Sequence, residues 1–318
     1  MVIVNWNTRD LLDQALESLH AQTRTVTFET IVVDNGSTDG SVDLVRQKWP
    51  GVRLHPLPEN YGFAVANNVG FADAKAGYIL LLNSDTIVLP TTLSGLVDVL
   101  DQRPDVGCVG ARHLNGDGSL QRSIDATPNL VNDFFFNSEL HRLRVFHGFL
   151  QRNNPWWGPH DRQRPAGWVN GACMMVRRQV IDQIGGLDEA FFIYAEEVDW
   201  CYRMGRAGWV VWFTPDAEVI HLGGQAMNNA AHRRVVLKYK GWLRFYRKHY
   251  GWPRRLGLRL LITFISVTRL AFIALLGLGS LLGIKPRPRV WELVTQESVM
   301  TGVPTMLRAW WRVLLLRA

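Results

Sequence analysis

Three groups of polar residues stand where apolar runs stop, and each suggests a different piece of chemistry. In "ETIVVDNGSTDGS" (29–41), Asp34 follows apolar and β-branched residues. A carboxylate at such a strand end can accept hydrogen bonds from a nucleobase N–H or from ribose hydroxyls, and the helix that follows offers N–H groups to anions. In "LLLNSDT" (80–86), Asp85 lies just past a strongly apolar run, beside Asn83 and Ser84. An isolated charge there needs a partner. A divalent cation shared with substrate phosphates is one; the alternative is an Asp that caps the next turn. In "FFIYAEEVDWCYRMGRAGW" (191–209), Glu196, Glu197 and Asp199 crowd together among aromatics. Crowding and burial raise a carboxyl pKa, which suits a proton acceptor. On a helix from Glu196, residues 196, 199 and 203 share a face. Arg203 is then expected to pair with both Glu196 and Asp199 and to leave Glu197 directed elsewhere; a structural ion-pair network is the alternative.

These groups need elements to hold them. "MVIV" (1–4), "ETIVVD" (29–34) and "AGYILLLNSD" (76–85) read as buried parallel strands. Between them, "DLLDQALESLHAQ" (10–22) repeats Leu12, Leu16 and Leu19 at a helical period, and helices are also predicted over 39–49 and 63–77. The β-α-β-α-α-β order predicts a doubly wound, mostly parallel sheet. Ligands bind beyond the carboxyl ends of such strands. The clusters "NWN" with Asn5, "DNGSTDGS" and "NSDT" converge there, although the same residues also favour ordinary turns. Residues 134–165, rich in aromatics and Arg, read as a flap or acceptor-side loop. A strand returns over 167–178 and a short helix over 180–191. Residues 208–224 read as two short strands broken at Pro215, ending near His221.

The chain has 318 residues, 47% of them hydrophobic, enough for one large core or a domain with an appendage. Its charge is divided. Residues 1–231 hold 18 Lys+Arg against 26 Asp+Glu, whereas residues 232–318 hold 17 Lys+Arg against only Glu292 and Glu297. An acidic body with a basic tail is not a uniformly basic nucleic-acid binder, and no nucleic-acid partner is expected; the tail fits an anionic surface. The boundary is placed at 231/232. Cys108, Cys173 and Cys201 are too scattered for a metal knuckle and read as free thiols. "MVIVNWN" lacks the pattern of a secretory leader, so none is expected in it.

Taken in order, "VIVNWN", "IVVDNGSTDGS", "ENYGFAVANNVG", "LLLNSDT", "WVNGACMMVRR", "GGLDEAFFIYAEEVDWCYRMGRAGW" and "VIHLGG" resemble the motifs of family 2 glycosyltransferases, with the rhamnosyltransferase-like bacterial branch nearest. The resemblance covers about residues 1–225. It implies a GT-A fold, a nucleotide-diphosphate sugar donor, Mg²⁺ or Mn²⁺, and inversion at the anomeric carbon. It also implies roles. Asp34 matches the acidic residue at the nucleotide. Asn83-Ser84-Asp85 matches the Asp-x-Asp metal motif with Asn in its first place, and His221 matches a late histidine that completes the metal shell in some members. "AEEVDW" matches the motif that supplies the catalytic base, which makes Glu197 or its neighbour Glu196 the base. Asn67 falls where some relatives carry a basic residue near the phosphates. Trp168, Asn170, Trp200 and Tyr202 are candidates to contact sugar rings, and Arg203 joins Trp168 and Asn170 as an acceptor-side candidate. The acceptor is expected to be a saccharide or lipid-linked saccharide. A sugar-nucleotide nucleotidyltransferase is the alternative enzyme, although "VNWNTRDLL" lacks its Gly-rich loop; a non-catalytic sugar-nucleotide or polysaccharide-binding module is the alternative outside catalysis.

In the tail, residues 256–284 are long enough to cross a bilayer, but Arg259 and Arg269 interrupt them. Arg255, Arg259, Thr263 and Ser266 recur as a polar stripe. We expect a helical extension attached to the cytoplasmic membrane face, peripheral or shallowly inserted, with a true span or a homo-oligomer interface as alternatives.

Overall fold

The computed structural model describes residues 1–22, 26–138, 140–154, 160–223, 231–281 and 303–316. The chain divides into two compact units, Met1–Thr127 with Asn154–Ala226, and Pro128–Asn153 with Met227–Ala318.

The first unit is built on a sheet. Its strands are β1 (Val2–Asn5), β2 (Ile31–Asp34), β3 (Arg53–Pro56), β4 (Tyr78–Asn83), β5 (Thr86–Val88), β6 (Val106–Leu114), β7 (Leu120–Gln121), β8 (Ile124–Asp125), β9 (Arg164–Pro165), β10 (Trp168–Val169), β11 (Cys173–Arg177) and β12 (Val210–His221). The main order is β3-β2-β1-β4-β11-β6-β12-β5, with β7 on β6 and β9 on β12; β10 and β8 form a separate pair. The β3-β2-β1-β4 half is parallel, as the alternating strand and helix patterns predict. β11 runs antiparallel between β4 and β6. Residues alternate between the two faces. Ile3, Val32, Leu80 and Leu82 pack on one side with Leu12, Leu16 and Leu19 of helix α1 (Arg9–Gln22). Val2, Val4, Ile31, Val33 and Leu81 pack on the other with Trp200 and Met204. Both faces are therefore covered, which explains the near-continuous apolar strands. Helix α2 (Ser41–Lys48) and helix α3 (Phe63–Asp73) complete the crossovers. Gly70 lets α3 approach β1, since a Cβ there would lie 2.3 Å from Val2 Cγ1.

One reading of this unit changes. Residues 210–221 form one strand, not two; Pro215 falls inside an irregularity between Thr214 and Glu218, where the register against β6 shifts. A proline without an N–H is tolerated at such a bulge. The remaining helices of this unit are α4 (Thr92–Gln102), α7 (Arg178–Ile184) and α8 (Glu196–Arg206), with α5 and α6 belonging to the other unit.

The second unit is helical: α5 (Leu130–Asn137), α6 (His147–Asn153), α9 (Ala231–His249), α10 (Trp252–Leu281) and α11 (Val303–Leu314). The segment 134–165, read as a flap or loop, thus contains the second half of α5, two short 3₁₀ turns, α6 and β9; its residues 139 and 155–159 lie outside the described residues. Asp133 of α5 anchors this unit. It is buried and accepts hydrogen bonds from Trp242 Nε1–H at 2.8 Å and Tyr246 O–H at 2.5 Å.

Candidate functional site

The carboxyl ends of β1, β2 and β4 carry a continuous polar relay. Asn5 and Asp34 are register partners. Asn5 Nδ2 donates to Asp34 Oδ2 at 2.9 Å and to Ser37 Oγ at 3.2 Å, while Ser37 N–H donates to Asp34 Oδ1 at 2.8 Å. Thr8 Oγ1 donates to Asn5 Oδ1 at 2.7 Å and meets Ser84 Oγ at 2.8 Å. Asp34 is thereby linked through Asn5 and Thr8 to Ser84, next to Asp85. The loop after β2 is clamped by the motif "ENYG". Asn35 Nδ2 donates to Asn60 Oδ1 and to the Gly62 carbonyl, and Tyr61 N–H donates to Asn35 Oδ1. Gly36 has φ 78°, and a Cβ there would lie 2.6 Å from the Glu59 backbone. Only glycine fits that turn.

At the end of β4, Asp85 and His221 come together because β5 pairs with β12 in the register Thr86–His221. Both are nearly buried, and His221 Nε2 lies 3.3 Å from Asp85 Oδ1. Gln121, absent from the sequence reading, orients the imidazole. Its Nε2 donates to the His221 carbonyl at 3.0 Å and to Asn115 Oδ1 at 2.8 Å, so its Oε1 is the atom 2.6 Å from His221 Nδ1. Nδ1 must carry the proton. In the neutral ring the Nε2 lone pair then faces the Asp85 carboxylate, and two acceptors confront each other unless a cation lies between them. Asn83 adds a third donor atom: its Nδ2 is 3.4 Å from His221 Nε2, and its buried Oδ1 has no hydrogen-bond partner. Behind them, burial pushes the His113 imidazole down to about 3, helped by the nearby His221 and His160, so His113 brings no competing positive charge. Among the described residues no group of three or more His, Cys, Asp and Glu side chains could hold a metal by itself. One carboxylate, one imidazole and one amide oxygen fit a cation that takes its other ligands from water and phosphates.

The acidic trio opens α8. Tyr194 and Ala195 precede it at φ 72° and 71°, two consecutive left-handed non-glycine residues. Such residues cost about 1–2 kcal/mol each and persist where the surroundings hold them. Here Phe63 N–H donates to the Phe192 carbonyl at 2.7 Å, Asn68 clasps both backbone groups of Leu187, and Trp200 Nε1–H donates to the Gly185 carbonyl.

The three carboxylates do not act alike. Asp199 is fully buried and binds Arg203 Nε at 2.8 Å, and the rest of that guanidinium donates to the Ile184 and Gly186 carbonyls at 2.8 and 2.6 Å. The expected Glu196–Arg203 pair is not formed: Arg203 is consumed in fixing the 184–186 loop beneath the trio, not turned to an acceptor. Glu196 and Glu197 each keep a buried Oε2 without a partner. Burial raises both carboxyls, Glu196 well above the usual range with the Glu197 charge adding to the rise, and Glu197 to about 7. Glu197 lies against Gly171, whose Cβ would stand 3.6 Å from Glu197 Cβ. The next residue, Ala172, accepts a hydrogen bond from Asn83 N–H at 3.0 Å. Glu197 and Asn83 therefore both meet the Gly171–Ala172 turn, Glu197 through its side-chain stem and Asn83 through its backbone.

Other candidates fall elsewhere. Asn170 Oδ1 accepts from Ala172 N–H at 2.8 Å and shapes this turn, and Trp168 packs against the core. Asn67 is buried and donates to the Phe63 carbonyl in its own helix. Trp200 is fully buried and stacked on Phe71, which makes it a core residue and no sugar platform. Tyr202 lines a cavity of about 300 Å³ with Gly167, Arg206 and Trp209; none of Asp34, Asp85, Glu197 or His221 lines it.

The sequence profile described as glycosyl transferase family 2 matches residues 1–185. The chain belongs to this family. It is 30% identical over 272 residues to an N-acetylglucosaminyl-diphospho-decaprenol L-rhamnosyltransferase of Mycobacterium tuberculosis, covering 80% of this chain and 86% of that one. It is 29% identical over 253 residues to an O-antigen biosynthesis protein of Myxococcus xanthus, 76% of this chain but 19% of that one. Among solved structures, a Pyrobaculum calidifontis mannosyltransferase in complex with GDP-Man and Mn²⁺ matches with a TM-score of 0.56 at 16% identity, covering 98% of this chain and 84% of that one. That likeness gives the fold, GT-A, in agreement with the resemblance carried by the motifs. This glycosyltransferase thus gathers Asp34, the Asn83–Asp85–His221 set and the acidic pair Glu196–Glu197 in one unit.

Proposed function

We propose that the enzyme is an inverting, metal-dependent glycosyltransferase that moves a hexose, with rhamnose the first choice and another hexose or galactofuranose the second, from a nucleotide-diphosphate donor. The observation that carries the reading is that Glu197, whose buried Oε2 has no partner, and Asn83 of the Asn83–Asp85–His221 set both meet the Gly171–Ala172 turn. Asp34 and Asn5 would receive the nucleotide. Asp85, His221 and Asn83 would hold Mn²⁺ or Mg²⁺, which when bound neutralises charge on the leaving diphosphate. Glu197, the more exposed of the two glutamates, accepts the proton of the acceptor hydroxyl. As that oxygen bonds to C1 of the sugar, the bond from C1 to the phosphate oxygen breaks and the nucleoside diphosphate departs. Glu196, held protonated by burial and by its neighbour, leaves the negative charge to Glu197.

The acceptor is read as a lipid-linked saccharide at the cytoplasmic face of the membrane, by analogy with the substrate in the mycobacterial relative's name. Residues 1–231 would carry transfer and residues 232–318 would bring the enzyme to that surface. The test is to incubate the purified full chain with a panel of nucleotide sugars and Mn²⁺ or Mg²⁺, and to read products and their anomeric configuration by NMR. Inverted product that is lost with chelator and lowered about 10²-fold or more in Asp85→Asn supports the reading. Retained configuration, or full activity after chelation, defeats it.

A further inference from the structure

Helix α10 is inside out. In a helix at the surface of a soluble protein the apolar stripe faces the core and the polar one faces water. Here the inward positions include Arg259, Ser266 and Arg269, among Leu258, Ile262 and Ile265. The Arg259 guanidinium donates to the carbonyls of Leu314 and Leu316 at the end of α11. Arg269 donates to the Asn137 carbonyl at 2.8 Å and lies over the Trp310 ring at 4.8 Å. Of the polar stripe Arg255, Arg259, Thr263 and Ser266, Ser266 is buried and Arg259 and Thr263 are half-buried, while Arg255 stays exposed; neighbouring helices satisfy Arg259 and Arg269. The opposite face carries Leu256, Leu260, Phe264, Val267, Leu275 and Leu278, each 49–65% exposed. These positions recur at intervals of three or four residues, or their multiples, over 22 residues, or about 33 Å of helix. At its N-terminal end stand Trp252, 73% exposed, and the exposed cations Arg254 and Arg255.

We propose that α10 is a monotopic anchor that lies in the plane of an anionic bilayer, with the Leu256–Leu278 face in the acyl region and Trp252, Arg254 and Arg255 among the head groups. This deepens the reading of a lipid-carried acceptor and rests on it for its purpose, although the surface itself does not depend on it. Two observations choose the occupant and the orientation. The tail from 232 to 318 carries 17 Lys+Arg against two acidic residues, so a second copy docked on the same face would bring two strongly cationic regions together, whereas anionic lipid complements them. The helix is long and apolar enough to cross a membrane, with a mean hydropathy of 1.9 over its most apolar 18 residues. Yet α11 runs antiparallel beside it, Trp310 level with Arg269 and Leu314–Leu316 level with Arg259. Arg312, between them, is exposed. A span would carry this guanidinium, which has no partner among the described residues, into the hydrocarbon at mid-helix, where charge is costly. Lying flat, the unit keeps Arg312 in water or among head groups while α10 meets the acyl chains.

The experiment uses the full chain with phosphatidylglycerol-containing and pure phosphatidylcholine vesicles. Sedimentation should show binding to the first and far less to the second. Leu260→Glu with Phe264→Glu should weaken it by about tenfold or more, with an unchanged melting temperature because both side chains are exposed. A polarity-sensitive dye placed in turn at Leu256→Cys, Phe264→Cys and Leu275→Cys should report one depth for all three; the native cysteines are buried and will not compete. Greatest depth at position 264 with both ends shallow would overturn the in-plane orientation in favour of a span. Undiminished binding of the double Glu variant would overturn the surface. So would a dimer in light scattering that this variant dissociates, with no binding of the parent chain to vesicles. Hydrolysis of the nucleotide sugar without acceptor reads the other unit's chemistry separately. If it persists while vesicle binding fails, the anchor is wrong and the enzymatic reading stands.

Discussion

Two corners of the same site are built in opposite ways. At the nucleotide corner the buried groups are paired with one another: both Asp34 oxygens, both ends of the Asn5 amide and the Thr8 hydroxyl take part in a closed relay. At the acidic corner Glu196 is buried and Glu197 half-buried, and each keeps one buried oxygen, Oε2, without a partner. A satisfied network is rigid and stabilising, a binding surface prepared in advance. An unsatisfied buried carboxyl destabilises the fold and waits for a partner that arrives with substrate. Even within one helix turn the contrast holds, because Asp199 has its arginine and the two glutamates have none.

Removing the acidic corner should have the largest effect on rate. Glu197→Gln is expected to lower transfer by about 10²–10⁴-fold, with nucleotide binding by calorimetry unchanged. Near-normal turnover would shift the base to Glu196 or to water. In the parent enzyme kcat/KM should rise with pH through about 7, since Glu197 must be ionised to accept a proton and its carboxyl is raised to about 7. A rise centred near the ordinary carboxyl range of about 4 would contradict the burial argument.

The same variant separates the corners by stability. A carboxyl raised in the folded state binds its proton more tightly there than in the unfolded chain. Its stabilising contribution is full below the ordinary carboxyl pKa and is lost as pH rises through about 7. Glu197→Gln removes this loss, so the variant should be more stable than the parent at pH 8, by about 3 kcal/mol, and match it near pH 4. Destabilisation at pH 8 would mean that Glu197 has an ionic partner that supports the fold.

The Asp85–His221 corner lies between the two in design: Gln121 holds Nδ1 of His221, and Nε2 faces Asp85 and Asn83. Gln121→Ala frees the imidazole to change tautomer. We expect Mn²⁺ affinity in the presence of nucleoside diphosphate to fall by about 10–100-fold, with ¹⁵N shifts of His221 in the metal-free protein showing a mixture of tautomers. An unchanged spectrum would leave Gln121 as mere packing.

The strand ends were readable because "VIVN", "IVVD" and "YILLLN" stop at polar residues, and a parallel strand buried on both faces cannot hide its end. β3 was missed because "RLHP" is only half-buried at the sheet edge and shows no apolar run. Residues 134–165 read as a flap or loop because the helices there are held from afar: Asp133, just before that segment, finds Trp242 and Tyr246 more than a hundred residues downstream, beyond any local pattern. The Arg203 assignment followed helical spacing correctly as far as Asp199, but spacing could not show that the loop carbonyls of Ile184 and Gly186 claim the rest of the guanidinium. Gln121 left no signal, being one polar residue on a two-residue strand. Thr8 did leave one, as the next residue after "NWN", but nothing local distinguishes a relay hydroxyl from a helix-capping one.

Thr8 offers the mildest test of the contrast. Its single hydroxyl proton goes to Asn5 Oδ1 at 2.7 Å, so the 2.8 Å contact with Ser84 requires Ser84 to donate to Thr8. Thr8→Val keeps the shape and removes both bonds, leaving Asn5 Oδ1 and the Ser84 hydroxyl unpaired in a buried place. The cost should be about 1–3 kcal/mol in stability, with donor KM rising only a few-fold and kcat nearly constant. Ser84→Ala, which removes one bond and leaves Thr8 bonded to Asn5, should cost less. If Thr8→Val instead leaves stability intact and lowers kcat as Glu197→Gln does, the relay is part of the chemistry and the division between a closed binding corner and an open reacting corner fails.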